Sequence, residues 1–111
     1  ALEERESLPD RGPADLIMAL ALVHHLAIGN NVPLTHVAEF FARIGRYALV
    51  EFVPKSDSQV CRLLATRPDI FPTYTEEGFL AAFEPHFEHL SRVKLEGSDR
   101  SLHLMRTRAG T

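Results

Sequence analysis

The sequence predicts an α/β fold: a mostly parallel sheet of about four strands, covered on both faces and closed by one antiparallel strand. Three observations carry this. Residues 16–23 (LIMALALV) are eight consecutive apolar residues between Asp15 and the pair His24-His25, which suits a strand covered on both sides. Residues 46–53 (RYALVEFV) are mostly apolar on both alternating faces, so they also read as a covered strand. Residues 87–95 and 101–106 are strand-like and separated only by Glu96-Gly97-Ser98-Asp99-Arg100, a connection short enough to join only antiparallel neighbours.

In chain order, residues 1–13 are polar and carry Pro9, Gly12 and Pro13, which reads as a short helix over residues 2–8 or a frayed end. One domain over residues 14–108 follows, with 109–111 as a tail. The run at 16–23 could also be a buried helix, because Ala, Leu and Met are good helix formers. The polar rings of His24 and His25 and the turn-forming Gly29-Asn30-Asn31 favour a strand and then a loop. Residues 33–44 read as a helix: Leu34, Val37, Phe41 and Ile44 recur at helical spacing, and Ala38 and Phe40 widen the stripe. Pro33 fits its first turn and Gly45 its C′ position. After the strand at 46–53, Ser56-Asp57-Ser58-Gln59 has the form of a capping box, with Val60, Leu63 and Leu64 turned inward behind it. Thr75 caps a helix over residues 76–84, with Tyr74 and Phe79 as a hydrophobic staple and Phe79, Leu80 and Phe83 facing the core.

Composition narrows the function. A 45% hydrophobic and 24% charged chain is an ordinary globular domain. A formal charge of −3 gives no electrostatic case for nucleic acid or an anionic membrane. No stretch reaches the roughly 18 apolar residues of a membrane span, no secretory signal is visible, and the single Cys61 fits a reducing compartment. The expectation is a cytoplasmic protein. Cys61 itself reads as a packing residue.

The order strand, helix, strand, helix, helix, strand, strand, with the last strand reversed, resembles the C-terminal half of a class I S-adenosylmethionine-dependent methyltransferase. ADLIMALALVHHL is similar to that family's fourth strand and YALVEFVPKSD to its fifth. The resemblance covers nearly all the chain from Ala14 onward and implies a partial Rossmann-like three-layer sandwich with strand order 4-5-7-6. It also implies S-adenosylmethionine as cofactor, a small-molecule or other methyl acceptor, and Leu22 and Val23 on the cofactor side. The glycine-rich first strand is missing, since the glycines are scattered at 12, 29, 45, 78, 97 and 110. The resemblance therefore implies the acceptor-side half of an enzyme, binding the cofactor weakly or not at all by itself. A second reading makes the chain an interaction module. The free edge of residues 16–23 would then pair with a second copy or complete a split methyltransferase.

Ligands of open α/β sheets lie beyond the carboxyl ends of the strands, where His24 and His25 fall. An imidazole there can orient an acceptor or take its proton. The alternative is one ring bonded to a loop carbonyl and the other solvated. Glu51 is costly to bury as an anion, so it either pairs with Lys55 or an arginine or lines the crevice. Lys55 and Asn30 are candidate acceptor contacts, although Asn30 and Asn31 suit the turn and Asp57 suits a helix N-terminus. His86, His89 and His103 have no carboxylate or thiol at zinc-like spacing, and no metal site is expected.

Overall fold

The structure is a computed structural model and describes residues 14–108. The short helix expected over residues 2–8 and the tail at 109–111 lie outside the described residues. The sheet has four strands in the order β1-β2-β4-β3: β1 (Ala14–Ala19), β2 (Gly45–Phe52), β3 (Phe87–Lys94) and β4 (Ser101–Thr107). The helices are α1 (Leu34–Ile44), α2 (Ser58–Leu64) and α3 (Glu76–Phe83), with a single π-helical turn at His25–Gly29. The α/β expectation stands, but the sheet is mixed. β1 and β2 pair in parallel, whereas β4 pairs antiparallel with both β2 and β3.

The apolar run at 16–23 is divided in two. Only its first part is strand; at Ala21 the backbone turns left-handed (φ 53°), and Val23 drops into the core. The physical reason is the covering. β1 is an edge strand among the described residues, and Leu16 and Met18 lie exposed on one face, so it is not sandwiched.

α1 obeys its periodicity: Leu34, Val37, Ala38, Phe41 and Ile44 are buried, while Phe40 points away and is exposed. Gly45 does not close α1 in a left-handed turn. It is extended and begins β2 directly, and a Cβ there would come within 3.0 Å of Ile17 Cγ2 on β1. Gly78 is needed for a different close approach, since a Cβ would fall 1.9 Å from the Thr73 carbonyl oxygen. Thr75 caps α3 as expected, accepting from the Gly78 N–H at 2.9 Å.

The core lies between α1, α3 and one face of the sheet. Register puts Ile17, Ala48 and Met105 in one row across that face and Ala19, Val50 and His103 in the next. Phe52 stacks on Tyr74 and packs against Phe79, which leads through Phe83 to Phe87. The Tyr74 hydroxyl, inside this cluster, donates to the Val53 carbonyl. The opposite face carries Leu16 and Tyr47 in one row and Met18, Leu49 and Leu104 in the next. Described helices do not cover it: Met18 is 59% exposed, and Val93 at its far side 56%. The described fold is therefore two layers rather than three.

Candidate functional site

The carboxyl ends of β1 and β2 point the same way, and a connected set of polar side chains lies across them. Glu51, near the end of β2, is buried on the otherwise bare face of the sheet. One of its oxygens accepts from the Ala21 N–H at 2.6 Å, in the left-handed turn after β1. The other lies 3.6 Å from the Arg100 guanidinium. Burying this carboxylate is sustained by a backbone donor and a cation together, the arrangement an apolar strand demands of a charge.

Arg100 comes from the β3–β4 connection and forms a two-pronged pair with Asp57, at 2.8 and 3.1 Å. The guanidinium holds the Asp57 carboxyl below its ordinary value by hydrogen bonding to its ionised form. Asp57, rather than Ser56, is the N-cap of α2 and accepts from the Gln59 N–H at 2.9 Å. Ser56 instead donates to Asp99. The N-cap thus moves one residue along and the expected capping box does not form: Asp57 serves both the helix end and Arg100, and the Gln59 side chain bonds another partner.

That partner is His24. Its Nε2 lies 2.9 Å from Gln59 Oε1, so with the amide oxygen as acceptor Nε2 carries the proton. Its Nδ1 is then a bare acceptor, buried and with no hydrogen-bond partner among the described residues. Burial lowers the His24 pKa, against the opposing hydrogen bond to Gln59, and so favours the neutral ring. His25 is exposed and packs its ring on His24, with centroids 4.2 Å apart. The chain of contacts runs His25, His24, Gln59, Asp57, Arg100, Glu51 and Ala21.

The other expected residues fall outside this set. Lys55 turns away to Asp69, at 2.9 and 3.0 Å, and to the Phe71 carbonyl. It lines a cavity of about 230 Å³ with Phe52, Tyr74 and Asp99. It is therefore not the partner of Glu51; Arg100 is. Asn30 caps the π-helical turn, its N–H bonded to the His25 carbonyl, and Asn31 is left-handed (φ 56°), so both serve the turn. Leu22 is exposed and Val23 is fully buried. Cys61 is exposed, with Sγ 3.3 Å from the Lys55 carbonyl, and is not a packing residue. Among the described residues no group of three or more His, Cys, Asp or Glu could hold a metal ion.

No protein-family model matches the chain, and no solved structure matches it. The chain is similar to the nodulation protein NoeA of Rhizobium meliloti (strain 1021). The two are 41% identical over 100 residues, which take in 90% of this chain and 21% of NoeA. The chain thus spans about a fifth of that relative's length. No helix among the described residues is long and apolar enough to cross a membrane.

Arg100 and the Gln59 side chain are the members of the site that sequence reasoning missed, whereas Asp57 holds the helix N-terminus expected of it and pairs with Arg100 besides. Arg100 stands 43 residues beyond Asp57 in the chain, and no local spacing announces a pair that only the sheet brings together. A usable signal was Glu51, whose burial required a cation from elsewhere.

Proposed function

We propose that the chain is the acceptor-side half of an S-adenosylmethionine-dependent methyltransferase with a Rossmann-like sheet, the cofactor pocket coming from polypeptide outside these residues. The observation that supports it is the linked polar set across the carboxyl ends of the parallel pair β1–β2, where open α/β sheets bind their ligands. Methyl transfer is an in-line displacement at carbon and needs chiefly alignment of acceptor, methyl and sulfur. His25, the exposed ring, meets the acceptor and takes its proton. His24 holds His25 from beneath, itself fixed by Gln59. Glu51 and Arg100 set the turn after β1 and so the position of both rings. A cytoplasmic setting belongs to the same reading.

The test uses intact NoeA and a chimera in which this chain replaces the matching segment of NoeA. Photo-crosslinking of radiolabelled S-adenosylmethionine to both proteins supports the reading. Absence of labelling in both overturns it.

A further inference from the structure

The bare face of the sheet and the free edge of β1 are continuous. Leu16, Met18 and Leu20 are all exposed on or next to the strand that has no outer neighbour among the described residues. Tyr47 and Leu49 on β2 and Leu104 on β4 extend the apolar surface across the sheet, and Val93 closes it on β3. Scattered exposed apolar residues are ordinary; a sheet face lined in successive rows and ending at an unpaired edge marks a contact surface. The other sheet face shows what such a surface requires, since there the rows Ile17-Ala48-Met105 and Ala19-Val50-His103 are shut beneath α1 and α3.

NoeA's length beyond the match points to the occupant. Its match to this chain is 21% of its length, so about four-fifths of NoeA is additional polypeptide attached to an equivalent of this sheet. We infer that the bare face and the β1 edge are the seat of the rest of a NoeA-like polypeptide, which adds a strand along β1 and lays an apolar layer over Leu16, Met18 and Leu49. This shares with the proposed function the premise of a larger assembly, but it does not depend on methyl transfer. It also places the junction beside Glu51, which lies on the same face, so the docked polypeptide walls the polar set on that side.

The experiment co-expresses this chain with a second polypeptide carrying the NoeA sequence outside the match, and reads assembly by light scattering after size exclusion. A one-to-one complex is expected. Met18→Glu weakens it at least tenfold, whereas Phe40→Glu, a charge placed at the exposed apolar residue of α1, leaves it intact. Both substituted positions are exposed, and circular dichroism checks that each variant keeps its fold. A homodimer abolished by Met18→Glu, with no mixed complex, overturns the inference in favour of a second copy. A monomer that ignores the second polypeptide overturns it outright, as does a complex equally sensitive to Phe40→Glu. S-adenosylmethionine binding is then measured on the complex. Assembly without cofactor binding leaves the docking surface standing and defeats only the methyltransferase reading.

Discussion

Two histidines, His24 and His103, are both fully buried, and their surroundings differ in one respect. His103, on β4, has both ring nitrogens engaged. Nδ1 lies 2.9 Å from His89 Nε2, and Nε2 lies 2.9 Å from Ser101 Oγ and 3.2 Å from Glu76 on α3. Its ring meets Phe79 edge-on. His24 has one nitrogen engaged and one without a partner among the described residues. A buried polar group with every bond made contributes to a unique core; one left short is the kind of group found where a structure serves something besides its own stability. The difference separates a structural imidazole from a candidate functional one, although both read alike as His in an apolar segment.

Substitution sharpens the contrast. His103→Leu is expected to lower unfolding free energy by about 2 kcal/mol, because the buried Ser101 hydroxyl loses its shorter hydrogen bond and keeps only Glu76, and Glu76 loses the imidazole. Urea denaturation followed by circular dichroism measures it. Acid titration reads the same residue without mutation. Burial, opposed by the nearby Glu76 carboxylate, holds the His103 pKa down to about 4 from an ordinary 6.5, with His89 and Arg92 on β3 acting in the same direction as burial. The unfolded chain therefore binds the proton first as pH falls. The His103 contribution to stability is complete above 6.5, falls between 6.5 and about 4, and levels off below, a loss of about 3 kcal/mol at most. Denaturation midpoints at pH 7, 5.5 and 4 should trace this slope, and His103→Leu should flatten it. A slope unchanged by that substitution would break the comparison. The smallest effect is expected at His24. His24→Leu discards one hydrogen bond but also a bare buried nitrogen, so stability should change by less than about 1 kcal/mol. A loss as large as that of His103→Leu would make His24 structural too.

What could be read in the sequence follows how locally each feature is determined. The helix at Leu34–Ile44, the Thr75 cap, the turn asparagines and the terminal hairpin depend on spacing and residue type over a few positions, and all are present. The coverage of β1 was illegible, because an apolar run has the same composition whether one of its faces is covered by this polypeptide or another. The strand's end was equally hidden: nothing in LIMALALV marks Ala21 as the residue that turns left-handed, since the backbone donor that fixes the turn is claimed by Glu51 from a different strand. The site followed the same rule. His24, His25 and Glu51 stood out by type and place, while Arg100 and Gln59 acquire their roles only when β4 and α2 are folded against β2.

The phenol of Tyr74 supplies a built-in optical probe. The chain has two tyrosines and no tryptophan, and burial pushes the Tyr74 ionisation well above its ordinary value of 10. An unfolded chain surrenders that proton near pH 10, so alkali draws the protein toward the open form, and phenolate absorbance from Tyr74 rises as the aromatic cluster around Phe52 and Phe79 comes apart. A spectrophotometer alone can therefore time the opening of this core, with no label attached.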